Sequence, residues 1–346
     1  MWKLLDKYGL PQKFINMIKA FYKDYGVKIV NNGKMSDQVR IESGVRQGCI
    51  LSPTIFLIAI DWIMKRSTKQ KTGIPWNVFY HLEDLDFADD ICLTSQKTAH
   101  MQVKTTNIAE EAAKLGLKIN IKKTKTMKIN INSDQKIKLG NEELEEVNTF
   151  TYLGSEMTTD GGADRDVKAR IGKASYAFKA LSNIWKSNQI QTKTKLKIFN
   201  SNVKSVLLYG AETWKTSKAI VTKLQTFINK CLRRILKVYW PETIRNIDLW
   251  ERTDQEPVEI SMKRRKWRWI GHTLRKPANN ITRQALDWNP SGTRKRGRPK
   301  HTWRRSVIKD LEKTEWSWSD VKREAQNRRR FRSLVEALCS PRSNRI

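Results

Sequence analysis

The stretch from Phe79 to Thr94, FYHLEDLDFADDICLT, constrains the fold more than any other, because two apolar, strand-like runs meet there at the acidic pair Asp89-Asp90. Leu85 and Phe87 alternate with polar residues before the pair, and Ile91 and Leu93 resume the alternation after it. That spacing predicts strand, tight turn, strand. Both carboxylates then sit at a hairpin tip, where like charges repel and push one pKa up unless water or a cation offsets them. Mg²⁺ suits such a pair, since it takes one or two carboxylates, keeps several waters and fills its remaining positions with phosphate oxygens. An isolated Asp-Asp pair is more often a solvated turn, so the assignment rests on what surrounds it.

Charge narrows the partner. The formal net charge is +32, with 67 Lys and Arg against 35 Asp and Glu, which points to a polyanion. The excess lies toward the C-terminus: residues 1–100 carry 14 basic and 10 acidic side chains, residues 257–346 carry 25 and 8. Eight of the 13 Trp lie at or beyond Trp240 among those cations, and flat rings beside cations suit stacking on bases. Charge alone would also fit a ribosomal or membrane-surface protein. Cys49, Cys92, Cys231 and Cys339 show no CxxC pairing, which argues against a disulfide framework or zinc site and for a reducing compartment. The N-terminal MWKLLDKYGL lacks the apolar core of a secretory signal, and the run Ile55 to Met64 is too short to span a bilayer and contains Asp61. The expectation is a soluble protein of the nucleus and/or cytoplasm, neither secreted nor membrane-spanning.

Along the chain, Leu10, Phe14, Met17, Ile18, Phe21 and Tyr22 recur at helical spacing, and Val27–Val30 and Gln38–Ile41 read as short strands around Asn31-Asn32-Gly33. GVRQGCILSP follows at 44–53. Gly44 and Gly48 free the backbone, Arg46 and Gln47 offer a cation and an amide, and Ser52 and Pro53 predict an N-cap and first position for a helix over 54–64. After the acidic hairpin, a helix is predicted over 104–115, stopped by Gly116, and then a strand over 117–121. Lys123, Lys125 and Lys128 come next, and Phe150 to Gly154 forms a short aromatic strand and turn. Beyond that the period is helical: Val167 to Trp185, Leu196 to Val206 and Ile220 to Ile235 each step by three or four, the pattern of a packed bundle. The last hundred residues hold KRRKWRWI at 263–270 and NPSGTRKRGRPK at 289–300. In the latter, KRGRPK is equally a solvated basic linker and an extended segment able to enter a narrow minor groove.

Four motifs in order, GVRQGCILSP (44–53), LDFADDICL (85–93), GLKINIKKTK (116–125) and FTYLG (150–154), resemble the successive palm motifs of the reverse transcriptases of non-LTR, LINE-type retrotransposons. IFNSNVKSVLLYGAETW (198–214), KWRWIGHTLRK (266–276) and RGRPKHTWRRS (296–306) are similar to the thumb and C-terminal region of such elements. The resemblance implies an α+β fold: a partial palm over 1–157, a helical thumb over 158–240 and a basic Trp/Arg-rich nucleic-acid-binding region over 241–346. It implies RNA-directed DNA synthesis by two-metal nucleotidyl transfer, attack of a primer 3′ hydroxyl on the α-phosphate of a deoxynucleoside triphosphate, with two Mg²⁺ (or Mn²⁺) ions as cofactor and an RNA template and DNA primer or target as partners. Carried over by position, Asp89 and Asp90 match the metal-binding carboxylates, Phe87 the aromatic place of that box, and Gly44, Arg46, Gln47 and Gly48 the loop that positions template and nucleotide. Lys123 matches the lysine beside the leaving pyrophosphate, and Tyr152, Leu153 and Gly154 the primer grip. Lys266, Trp267, Arg268 and Trp269, with Arg296, Gly297, Arg298 and Pro299, are the nucleic-acid-binding candidates downstream.

The pattern departs from the family at the front. The family places a further metal-binding Asp on a strand upstream of the glycine motif, and nothing before Gly44 matches it. Asp6, Asp24 and Asp37 are the acids there, and none has that context. The expectation is weak metal binding and a chain inactive alone, with a catalytically dead nucleic-acid-binding protein as the alternative.

Overall fold

The computed structural model describes residues 1–23, 25–41, 44–77, 80–131, 133–289, 302–312 and 314–340. The chain divides into two compact units, Met1–Val147 and Asn148–Ile346.

In the first unit, helices Trp2–Lys7 and Gln12–Tyr22 precede two nested antiparallel pairs, Gly26–Val27 with Val39–Arg40 and Val30–Asn31 with Lys34–Met35. Asn32 and Gly33, both at positive φ, close the inner pair, as the Asn-Gly signal predicts. The next helix, Leu51–Ser67, begins earlier than expected: Ile50 is its N-cap, and the Ser52 hydroxyl pairs with the Tyr22 hydroxyl at 3.2 Å instead of capping. Pro53 fits inside the first turn because backbone N–H groups there have no intrahelical acceptor to lose. The helix over Thr98–Lys114 likewise starts before 104, with Gly116 at φ +77 following its end.

These two long helices pack on each other through Ile60, Ile63 and Met64 against Ile108 and Ala112, and Ile91 and Leu93 of the acidic hairpin complete the cluster. The strand expected over 117–121 is not one. Leu117 and Ile119 point into the same core, yet the segment joins no ladder, and the strand that forms is Lys125–Thr126, parallel to Glu145–Glu146. Alternation alone therefore located buried side chains without supplying a hydrogen-bonding neighbour.

The second unit opens with the hairpin Thr149–Tyr152 and Ser155–Thr158, laid on helix Asp164–Ala180. The predicted stripes form one core: Val167, Ala174, Phe178, Trp185, Phe199, Val203, Ile220, Leu224, Cys231 and Ile235 are all buried in it. The middle stripe runs through helix Thr192–Ile198, a π-helical turn over Phe199–Lys204 and a last turn at Ser205–Leu207. A second core joins helix Val258–Leu274 to Trp303–Leu311, Trp318–Glu324 and Arg328–Cys339 through Trp267, Ile270, Val307, Val321, Phe331 and Leu334. Gly271 is where the first and last of these touch, since a Cβ there would lie 2.1 Å from the Phe331 ring.

Candidate active site and nucleic-acid interface

The acidic hairpin pairs Asp84 with Leu93, Leu85 with Cys92, Asp86 with Ile91 and Phe87 with Asp90, leaving Ala88 and Asp89 as its two-residue loop. Ala88 takes φ +54, the left-handed conformation that tight hairpin loops demand. This register overturns the simplest reading of the alternation. Directly paired residues share a face of the sheet, so Ile91 and Leu93 bring Asp84 and Asp86, not Leu85 and Phe87, to the helix side. Leu85 and Phe87 are exposed, Phe87 at 64%, on the face that carries Asp90. The aromatic side chain thus stands open beside the acidic pair.

On the helix side, desolvation first, then the Asp84 and Asp61 carboxylates, push Asp86 up to about 6. Asp86 is itself exposed, so solvent screens much of that effect. Burial also raises Asp84, against the opposing pull of the Lys104 ammonium. Lys104, itself buried, donates to the Glu83 carboxylate at 2.5 Å, the Glu83 carbonyl at 3.2 Å and the Thr94 carbonyl at 2.7 Å, and so pins both ends of the hairpin to its helix. Asp61 is committed elsewhere, to the Tyr8 hydroxyl at 2.6 Å and Lys65 at 2.7 Å.

Asp89 and Asp90 are both exposed at the tip. One lies in the loop and the other opens the strand, and no three His, Cys, Asp or Glu side chains converge as a metal cage among the described residues. Exposed carboxylates at a loop fit a single water-rich Mg²⁺ or Mn²⁺ contact.

In the glycine loop, Gly44 and Gly48 have φ +89 and +83, and a Cβ at either would meet open space. Both take the left-handed backbone conformation that glycine adopts freely. Arg46 lies over the Tyr25 ring at 4.0 Å and near Tyr22 at 5.7 Å, which fixes the loop to the N-terminal segment, while Gln47 is exposed. Lys123 sits in an exposed turn whose backbone is capped by Asn120, and its ammonium makes no ion pair with the described residues. Lys125 and Lys128 differ, being paired with Glu145 and Glu146.

The Tyr152-Leu153-Gly154 turn belongs to the second unit and is held from behind. Leu153 and Gly154 both have positive φ, +48 and +80. The Tyr209 hydroxyl donates to the Leu153 carbonyl at 3.3 Å, and Arg170 donates to the Gly154 carbonyl at 2.7 Å while lying 4.2 Å over the Tyr209 ring. Asp166 accepts from the Glu156 backbone at 3.0 Å and the Trp214 indole at 2.8 Å.

The KWRW segment is largely structural, contrary to the expectation of a binding face. Trp267 is fully buried, and Lys266 is buried against Asp310 at 2.9 Å, so neither reaches a ligand. Trp269 packs edge-on to Trp303 at 5.9 Å, and Arg268 reaches Glu336 at 3.2 Å from a mostly exposed position. Interleaved Arg and Trp on a helix here mark a core stripe with a charged flank. Arg296, Gly297, Arg298 and Pro299 lie outside the described residues.

Residues 1–157 match the family described as reverse transcriptase (RNA-dependent DNA polymerase). Pol polyproteins of retrotransposable elements are similar to the chain: that of type-2 element R2DM of Drosophila melanogaster, 24% identical over 172 residues, and that of type-1 element R2 of Popillia japonica, 21% identical over 243 residues. The first 157 residues are a reverse transcriptase segment. The chain spans 16% and 39% of those two polyproteins, aligning 46% and 67% of its own length. A putative transposon-derived protein of Caenorhabditis elegans is 26% identical over 243 residues, 67% of this chain and 86% of that one. Residues 177–209 match a family described only as a domain of unknown function.

In this reverse transcriptase segment, reasoning from sequence missed Lys104 and Glu83, whose only signal was a lysine on the apolar face of a helix. Beyond the segment it missed Asp166, Arg170, Tyr209 and Trp214. Tyr209 and Trp214 stood within LLYGAETW, and Asp166 and Arg170 were spaced one helical turn apart. Neither pattern discloses a partner distant in sequence. Among the described residues, no helix is long and apolar enough to cross a membrane.

Proposed function

We propose that this chain engages a primer–template nucleic acid through reverse-transcriptase elements and that, by itself, it does not sustain DNA synthesis. The observation that carries the reading is the geometry of the Asp89-Asp90 tip: exposed, beside an exposed Phe87, with no third carboxylate converging among the described residues. Asp89 and Asp90 would hold Mg²⁺ or Mn²⁺, and a bound ion would supply charge to the phosphate oxygens of an incoming deoxynucleoside triphosphate. In the parent reaction a primer 3′ oxygen bonds to the α-phosphorus and pyrophosphate leaves. Lys123 offers a free cation to that leaving group, the Gly44–Gly48 loop faces template and nucleotide, and Leu153-Gly154 supports the primer end.

The test is primer extension on an RNA template by the purified chain, in Mg²⁺ and separately in Mn²⁺, beside a filter-binding titration with the same duplex. Binding without extension is expected. Templated extension that disappears in Asp89→Asn would refute the inactivity, and absence of binding would refute the engagement. The strong basic excess supports the second element directly, and affinity should fall steeply with salt through counterion release.

A further inference from the structure

A cavity of about 520 Å³ in the second unit is lined by Lys179, Lys186, Arg234, Lys237 and Tyr239, and its floor is the buried Phe178–Trp185 stack, with ring centroids 5.0 Å apart and planes at 13°. No carboxylate lines it. The four cations are exposed and none forms an ion pair with the described residues, while Lys237 donates to the Asn188 side chain. Just outside, Tyr239 is 57% exposed and Trp240 is 90% exposed.

Helix C-termini account for part of this. Lys179, Lys186 and Arg234 each lie at the end of a helix, where a cation complements the dipole. That explains them singly. It does not explain why helix ends from three segments converge on one concave site with an aromatic rim and no compensating acid, nor why a fifth cation, Lys195, is buried beneath it. Lys195 donates to the Trp185 and Ser187 carbonyls at 3.0 and 2.6 Å, and desolvation, then Lys237, lower its pKa. Like charges held this close call for an anion.

We infer that this cavity binds single-stranded nucleic acid, one base entering against Tyr239 with the flanking phosphates on Lys186, Arg234 and Lys237. Its size is that of a small-ligand pocket, enough for one nucleotide. An unstacked base has a free face for the ring, whereas a base in a duplex does not. A flexible acidic peptide would meet the same cations but leave the aromatic rim unused. The inference does not depend on polymerase ancestry or on Asp89.

The full chain should be titrated with fluorescent oligo(dT) and oligo(U) of about 12 nucleotides, and with a duplex of equal length. Tyr239→Ala should weaken single-strand binding by roughly 5- to 100-fold, Tyr239→Phe should retain it, and duplex affinity should be unchanged in both. Lys186→Ala and Lys237→Ala should each lower the single-strand salt slope by about 0.7. The tighter of the two oligonucleotides then names the strand that the site takes. An iodouracil-containing oligonucleotide should crosslink to Tyr239 or Trp240. Unchanged single-strand affinity in Tyr239→Ala, equal loss for duplex, or displacement of the oligonucleotide by poly-glutamate at matching charge would each overturn the inference.

Discussion

The Lys104 ammonium sits 2.5 Å from the Glu83 carboxylate, beneath the base of the hairpin whose tip carries Asp89 and Asp90. Its side chain is 2% exposed, so the pair is desolvated and each member depends on the other. Lys104→Met should cost about 3–5 kcal/mol, because it strands Glu83 and frees two carbonyls as well. Adding Glu83→Gln in the same chain should restore part of the loss. Urea unfolding of the two variants and the parent checks both statements.

Asp86 gives a pH dependence with a defined sign. Its folded-state pKa, pushed up to about 6, lies above the unfolded value of about 3.9. The folded chain then holds this proton more tightly, so its contribution to stability is present below about pH 4, is lost as pH rises to about 6 and stays lost above. Asp86→Asn should therefore raise the unfolding midpoint at pH 7.5 and leave it nearly unchanged at pH 4. Denaturant melts at the two pH values read the difference, and a drop at pH 7.5 would show that the carboxylate is held by a favourable partner.

Gly271 allows helix Val258–Leu274 to meet Arg328–Cys339 at Phe331. Gly271→Ala should destabilise the second unit by about 1–3 kcal/mol through overpacking. Phe331→Leu, itself costly, should make the alanine better tolerated. A double-mutant cycle on thermal midpoints measures that coupling, and additive effects would place the strain elsewhere.

How far the sequence could be read follows from what each signal encodes. Periodicity located the buried stripes of the second unit, since Val167, Ala174 and Phe178, or Ile220 and Leu224, need only one apolar side. The acidic turn was legible for the same local reason. The face of each strand was not, because Leu85 and Phe87 look like core residues until the ladder pairs Phe87 with Asp90 and turns them outward. Trp267 misled in the opposite direction: its cationic neighbours suggested a surface, while the i, i+3 spacing to Ile270 placed it in the core. Lys195 and Arg170 bind carbonyls that lie outside their own helices, Trp185, Ser187 and Gly154, and periodicity within a helix carries no such information.

Leu153 separates folding from function at the second turn. With φ +48 it adopts a conformation that costs a residue with a Cβ roughly 1–2 kcal/mol, and its side chain, 38% exposed, recovers little by burial. The turn persists because Tyr209 and Arg170 hold the Leu153 and Gly154 carbonyls. Leu153→Gly should thus stabilise the unit by up to about 1 kcal/mol, whereas Tyr209→Phe should cost about 1 kcal/mol by removing one hydrogen bond. If the leucine tip supports a primer end, the same glycine variant should bind primer–template more weakly while melting higher. Opposite signs in the two measurements identify a residue kept for contact; a gain in both would make Leu153 only a strained turn residue.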